Sequence, residues 1–210
     1  MILTRVKLDM EKRQTLKAMA NPNVFHGVIE RCQSGERNRL LWRLDHLHST
    51  YYLLILSCRP LDQQKLADEF CCDFQDVEWR DYQPLLDRIT PGSRWRFRLV
   101  ANPTISIRSK DGQIRGKVVS PVHEEDQRKW LESKAEKQGF ELDKPVFIKG
   151  AKWLSIKKGS QRKRVTLQEV TFEGVLTVKD PEIFKETLIS GFGRGKAYGM
   201  GLMTLMSYAG

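Results

Sequence analysis

The order of strand-like and helical segments in the first 90 residues is the feature that most constrains the fold. Ile2 to Leu8 alternates side chains in the pattern of a half-buried strand. Two helical stretches follow, and Asn23 is expected to cap the second of them. Two β-rich runs, a third helical stretch and a short strand complete the series. This β-α-β-β-α-β order, with one extra helix, predicts a split βαβ or ferredoxin-like unit.

The same order recurs after a turn-rich segment, Asp87 to Gly92. It begins with Arg94 to Val100, which has the pattern of a strand with one basic and one apolar face. A surface helix from Glu124 to Gly139, further β-rich runs, a helix from Pro181 to Ile189 and an apolar strand follow. A chain of 210 residues suits one domain or two small ones. The recurrence predicts an α+β protein with two tandem ferredoxin-like domains, although the strand order of the second stays open.

The predicted domains are residues 1–90 and residues 91–210, and charge is distributed unequally along the chain. Residues 1–93 contain 13 Lys or Arg and 13 Asp or Glu, whereas residues 94–210 contain 23 and 13. The whole net charge of +10 therefore lies in the second part. Such an asymmetry predicts that one side of the molecule faces a polyanion, and a basic surface without a partner is the alternative.

Eleven residues near the C-terminus, Gly191 to Gly201 (GFGRGKAYGMG), contain five glycines and two cations. Their backbone N–H groups are candidates for a phosphate-binding nest, and a flexible hinge is the alternative. Ala197 follows Lys196 where a P-loop needs Ser or Thr, and Tyr198 stands where a dinucleotide fingerprint needs its third glycine. We therefore expect no nucleotide cofactor, and we expect contact with a phosphate backbone. The candidate binding residues are Gly191, Gly193, Arg194, Gly195 and Lys196.

The densest basic run is Lys157 to Arg164 (KKGSQRKR), with Gly159-Ser160 at its centre and apolar alternation on both sides. The pattern predicts the tip of a β-hairpin that contacts nucleic-acid phosphates, and a solvated loop is the alternative. Aromatic side chains are not concentrated here, which favours a folded duplex over a single strand. The cations concerned are Lys157, Lys158, Arg162, Lys163 and Arg164.

None of the four histidines has the spacing or the neighbours of a metal site. His26 differs from the others because it lies near the start of a short helix, directly after a turn, where its side chain can project into a cleft. Histidine titrates near neutral pH and serves as a general acid or base, although a lone histidine is usually structural. We expect neither a metal nor any small-molecule cofactor.

The composition argues against a membrane protein. Hydrophobic residues make up 40% of the chain and charged residues 30%, without an apolar run long enough to span a bilayer. The N-terminus becomes polar too soon for a signal peptide. The four cysteines show no CxxC spacing, so reduced thiols and a cytoplasmic location are expected.

Five segments, spread in order over essentially the whole chain, together resemble the CRISPR repeat-processing endoribonucleases of the CasE type, in the repeat-associated RNA-binding superfamily. The segments are ANPNVFH (Ala20 to His26), LLWRL (Leu40 to Leu44), RFRLVANP (Arg96 to Pro103), FEGVLTVKDPE (Phe172 to Glu182) and GFGRGKAYGMGLMTL (Gly191 to Leu205).

The resemblance implies tandem ferredoxin-like domains that bind a CRISPR repeat RNA stem-loop. It implies cleavage at the 3′ base of that stem without a metal, through attack of a ribose 2′-hydroxyl on the adjacent phosphate. The products would be a 2′,3′-cyclic phosphate and a 5′-hydroxyl. His26 matches the family's catalytic histidine, and Arg31 is a candidate phosphate ligand. Other subunits of the type I-E surveillance complex are the implied protein partners.

Two positions depart from the family pattern. Some relatives have a tyrosine where Asn23 stands, and some have a cation where Gly27 stands. With fewer supporting groups, positioning of the 2′-hydroxyl by RNA binding would contribute more of the rate. A non-catalytic RNA-binding subunit of the same complexes is the main alternative. A basic DNA-binding or ribosome-associated domain would explain the charge but not the five segments.

Overall fold

The computed structural model describes residues 1–35, 38–107, 117–157 and 164–208, without the side chains of Lys117 and Lys157. The chain divides into two compact units. The first unit comprises Met1–Arg88, Ile189–Gly191 and Gly195–Leu202, and the second comprises Ile89–Leu188, Phe192–Arg194 and Met203–Gly210. The glycine-rich segment thus contributes to both units, and a domain boundary at residues 90/91 stays a prediction.

The first unit contains one four-stranded antiparallel sheet and three principal helices. Its strand order is β2-β3-β1-β4, which leaves β2 and β4 at the edges. The elements are β1 (Ile2–Lys7), α1 (Arg13–Ala20), α2 (Pro22–Arg31), β2 (Leu41–Leu47), β3 (Thr50–Ser57), α3 (Gln63–Phe70), β4 (Val77–Asp81) and a short α4 (Gln83–Asp87).

Apolar alternation and helix amphipathicity together build the core of the first unit. Thr4 and Val6 of β1 are buried, as the period of two predicts. From α2, Phe25 packs against the rings of Trp42 on β2 and Phe70 on α3, with centroid distances of 5.6 and 5.1 Å. Helix α2 therefore packs on the core through Phe25, together with the buried Val28 and Ile29.

The second unit repeats this arrangement, and two of its strands are long, with 18 and 15 residues. Its four-stranded sheet has the order β10-β5-β9-β8, all antiparallel, and a separate ribbon pairs β6 with β7. The elements are β5 (Arg94–Ala101), β6 (Ile105–Ile107), β7 (Lys117–Val119), α5 (Glu124–Ala135), β8 (Phe140–Lys157), β9 (Arg164–Val178), α6 (Pro181–Ser190) and β10 (Met203–Ser207).

The two sheets have equivalent orders when their strands are numbered within each unit. In both, the first strand lies beside the third and fourth, and the second lies at an edge next to the third. This is the ferredoxin-like arrangement, so the predicted fold class of two tandem ferredoxin-like domains is confirmed. No helix within the described ranges is long and apolar enough to cross a membrane.

The predicted cap of α2 was wrong by two residues. Asn21, not Asn23, occupies the N-cap position, and its side chain accepts a hydrogen bond from the Asn23 backbone N–H at 3.2 Å. Pro22 takes the first helical position, where its fixed φ and missing N–H fit. The helix that carries His26 therefore begins one turn before that residue.

Candidate active site

His26 lies on the first half of α2, with its side chain about one-third exposed at 31%. Its Nε2 is 3.4 Å from a carboxylate oxygen of Glu30, four residues later on the same helix. Its Nδ1 is buried without a hydrogen-bond partner among the described residues. A partly exposed imidazole on a helix surface has the chemistry of a general acid or base.

Arg31 lies on the same helix, and its guanidinium is near Gly27. The Nη1 atom is 3.6 Å from the position that a Cβ of Gly27 would occupy. Its Nη2 is 3.5 Å from a carboxylate oxygen of Glu69, and the Arg31 side chain is 61% exposed. An exposed pair at that distance holds its partners weakly, so Arg31 is available to a phosphate.

The glycine-rich segment packs on β2, the edge strand of the first sheet. Gly191 has a positive φ and lies so close to the Leu41 side chain that any Cβ would overlap it. Gly199, also with a positive φ, lies against the ring of Trp42. Leu41 and Trp42 are consecutive residues of β2, so their side chains point to opposite faces of the sheet. By contacting both, the glycine-rich segment covers the edge of the sheet that β2 forms.

A buried ion pair fixes the end of this segment. Arg43 and Asp45, both on β2, are 1% and 7% exposed and share two hydrogen bonds of 2.9 and 2.7 Å. The Nη1 of Arg43 also donates to the Leu202 carbonyl at 2.9 Å. A buried guanidinium is costly unless its N–H groups are hydrogen-bonded, so the bond to Leu202 stabilises the position of the glycine-rich segment on β2.

Lys196 begins a 3₁₀ turn, Lys196–Tyr198, that packs against both α2 and β2. Burial lowers the pKa of the Lys196 ammonium below its ordinary value, and the positive charge of Arg39 lowers it further. Two cations that repel each other beside the histidine-bearing helix favour an anion, because a phosphate would relieve the repulsion.

Gly193 and Arg194 belong to the second unit. The preceding Phe192 is buried there, with its ring edge-on to Trp130 at a centroid distance of 5.7 Å. Arg194 forms a backbone bridge with Asn102, at the end of β5. The side chain of Arg194 is exposed, so its backbone is fixed while its charge faces solvent.

The predicted basic hairpin lies largely outside the described residues. Strands β8 and β9 pair as far as Lys157 opposite Arg164, so they are connected through residues 158–163. Lys158, Arg162 and Lys163 lie outside the described residues, as does the side chain of Lys157. Arg164 is described and exposed.

The structure brings some of the predicted residues together and separates others. His26, Arg31, Gly191, Gly195 and Lys196 lie in the first unit, where the Lys196 turn packs on the helix of His26. Gly193, Arg194 and the described hairpin cation Arg164 lie in the second unit.

Two residues of the candidate site escaped the sequence analysis. Glu30 follows His26 by four positions, a spacing that places two side chains on one helix face, so the signal was present. Arg39 lies next to Lys196 only through tertiary packing, and no local pattern marks it. Within the described ranges, no group of three potential ligands could hold a metal ion.

Substitution of Gly199 tests how tightly the glycine-rich segment must pack. We expect Gly199→Ala to lower the free energy of unfolding by roughly 2–4 kcal/mol, since it combines a left-handed φ with a Cβ only 2.7 Å from the Trp42 ring. The matched control is Gly92→Ala, which has a positive φ but nothing within 4 Å of the added Cβ, and should cost only about 1–2 kcal/mol. If urea unfolding gives the same loss of unfolding free energy for both variants, the Trp42 contact does not contribute to the cost of Gly199→Ala.

The fold and the site define a tandem ferredoxin-like protein in which a histidine about one-third exposed lies on a helix next to a cationic turn of the glycine-rich segment. The family model described as "CRISPR associated protein" matches residues 1–206, and the chain belongs to this family.

Among curated proteins, the chain is similar to the CRISPR-associated endoribonuclease Cse3 of Thermus thermophilus, with 31% identity over 98% of this chain and 99% of that protein. Among solved structures, it is similar to CRISPR endoribonuclease Cse3 bound to a 19-nucleotide RNA, with 30% identity, a TM-score of 0.84 and coverage of 98% and 100%. Thermus thermophilus Cse3 bound to an RNA representing a pre-cleavage complex gives 30% identity, a TM-score of 0.81 and coverage of 98% of each chain.

Proposed function

We propose that this protein is an endoribonuclease that cleaves precursor CRISPR RNA within each repeat, at the 3′ base of the stem-loop. The observation that carries the proposal is the match to an endoribonuclease over nearly the full length of both chains. The RNA-bound structures of similar proteins support RNA as the substrate. We further propose that the protein retains the cleaved stem-loop and joins the type I-E surveillance complex as a subunit.

The proposed chemistry is a transesterification that needs no metal and no cofactor. The ribose 2′-oxygen attacks the adjacent phosphorus, the bond from phosphorus to the 5′-oxygen breaks, and a 2′,3′-cyclic phosphate forms. One proton leaves the 2′-hydroxyl and one is gained by the departing 5′-oxygen, so protons balance. His26 performs one of these transfers, and Glu30 beside its Nε2 stabilises the imidazolium.

Cations near α2 are proposed to bind the scissile phosphate. Arg31 is exposed on the same helix, and Lys196 on the adjoining turn is repelled by the charge of Arg39. Positive charge beside the phosphate stabilises the transition state, in which negative charge accumulates on the phosphoryl oxygens. Arg194 and the hairpin cations Lys157, Lys158, Arg162, Lys163 and Arg164 are proposed to bind the stem.

Binding and cleavage of a repeat RNA test this proposal against its rivals. We expect the wild-type protein to bind a repeat RNA stem-loop at least tenfold more tightly than duplex DNA of the same sequence, and to cut the RNA once. Equal affinity for DNA would favour a basic DNA-binding domain. Tight RNA binding without a cut would favour a structural RNA-binding subunit. Either outcome would contradict the proposal that this protein is a CRISPR RNA endoribonuclease.

A further inference from the structure

A cleft in the second unit lies between α5 and the β6–β7 ribbon, and its lining residues all come from that unit. Its volume is about 270 Å³. Its lining includes Thr104, Ser106, Val118, Lys134, Gly193 and Arg194. Trp130, which is only 6% exposed, forms part of the lining.

The described side chains that line this cleft give it a positive charge. Lys134 and Arg194 have no ion-pair partner among the described residues, and no carboxylate from those residues lines the cleft. By contrast, Arg128 and Lys129 on the same helix pair with Glu124 and Glu125 at 2.6 and 2.7 Å. Two free cations at one concave site attract an anionic ligand.

The backbone at one wall of the cleft is held in place. Arg194 is bridged to Asn102, whose side chain accepts a hydrogen bond from the Gln168 N–H at 3.3 Å. A Cβ on Gly193 would lie 3.6 Å from the Trp130 ring, so the backbone of Gly193 lies next to that ring. A fixed wall reduces the entropy lost when a ligand binds.

The opposite wall combines an apolar surface with hydroxyl groups. Ser106 on β6 faces Val118 on β7 as a register pair, and Val118 is 46% exposed. Thr104 and Ser106 supply hydroxyls that donate or accept hydrogen bonds. An apolar patch, hydroxyls and two cations correspond to the three parts of a nucleotide: base, ribose and phosphate.

The size and shape of the cleft select an unpaired nucleotide over a duplex. A duplex presents its phosphates on a convex surface and keeps its bases stacked inside, so it cannot enter a concavity of about 270 Å³. An unpaired nucleotide exposes its base faces and its 2′-hydroxyl, and it can turn its base into the cleft.

We propose that this cleft binds one unpaired nucleotide of the RNA that flanks the stem-loop, with its phosphate on Lys134 and Arg194 and its base against Val118. The inference rests on the RNA substrate of the proposed function. It adds a site for the single-stranded flank to the sites proposed for the stem and the scissile phosphate.

The test compares two RNAs, the repeat stem-loop with its unpaired flanks and the same stem-loop without them. We expect Lys134→Ala to weaken binding of the flanked RNA roughly fivefold and to lower its salt slope by about 0.7, the contribution of one single-strand phosphate contact. The bare stem-loop should bind Lys134→Ala and wild type equally. The matched control is Lys185→Ala on α6, which removes a lysine already paired with Glu182 at 3.1 Å and should change neither affinity.

Each outcome separates this inference from the function on which it rests. Equal losses for both RNAs would show that Lys134 contacts the stem, and no loss for either would show that the cleft does not bind RNA. Both results overturn the cleft proposal and do not affect the proposed endoribonuclease function. A wild-type protein that binds neither RNA overturns both proposals. A photoreactive uridine in the flank should crosslink near Val118, and crosslinks confined to other segments would contradict the assignment.

Discussion

Replacement of His26 by alanine is expected to lower the single-turnover rate of RNA cleavage by roughly 10²–10⁴, the usual contribution of a general acid or base. The affinity for uncut RNA should stay within about twofold, because the role proposed for this side chain is proton transfer and it is not among the cations proposed to bind the RNA. Truncation should leave the fold intact, since the side chain is partly exposed and the core contacts of α2 come from Phe25, Val28 and Ile29. Cleavage and filter binding on the same RNA measure both quantities.

The matched control is His123→Ala, which removes an exposed histidine at the N-cap of α5. That variant should cleave at the wild-type rate. If His26→Ala lowers the single-turnover cleavage rate by less than about threefold, the histidine is structural and the proton transfer must be assigned to another group. If RNA affinity falls together with the rate, His26 acts by binding the substrate.

Replacement of Arg43 by alanine is expected to lower the free energy of unfolding by about 3–5 kcal/mol. The change leaves Asp45 buried without its guanidinium and frees the Leu202 carbonyl that Arg43 holds at 2.9 Å. Loss of that contact should also loosen the segment that carries Lys196 next to α2. We therefore expect slower cleavage even at temperatures where the variant is fully folded. Urea unfolding followed by circular dichroism measures the stability change.

The chain offers a closely matched control for this prediction. Arg5 pairs with Glu78 at 2.7 Å, the same distance as Arg43 to Asp45, but its side chain is 50% exposed. Arg5→Ala should therefore lower the free energy of unfolding by less than about 1 kcal/mol. A loss for Arg43→Ala as small as that for Arg5→Ala would contradict the structural role given to the buried pair.

The fold was predictable because its signals are local. Alternation in β1 and β5, and the recurring order of helices and strands, follow from periodicities that neighbouring residues set. The cap of α2 was misplaced by two residues, because Asn21 and Asn23 flank Pro22 and both are good caps by residue type. Only the observed hydrogen bond from Asn23 to Asn21 distinguishes them.

The candidate site was less predictable because it depends on contacts between distant residues. Arg43 lies in an apolar run, and its partner Asp45 follows two positions later on the same face of the strand, a pattern that does not reveal burial. The approach of Lys196 to Arg39 joins residues 157 positions apart in the sequence. Position alone left a structural role open for His26, and the family resemblance supplied its proposed catalytic one.

The most direct test of the central claim is single-turnover cleavage of the repeat RNA by the wild-type protein in excess EDTA, followed by analysis of both new ends. We predict one cut at the 3′ base of the stem, at a rate unchanged by EDTA. The upstream product should carry a 2′,3′-cyclic phosphate, and the downstream product a 5′-hydroxyl that a kinase can label without prior phosphatase treatment. Loss of cleavage in EDTA with recovery on addition of Mg²⁺, or products with 3′-hydroxyl and 5′-phosphate ends, would contradict the proposed mechanism.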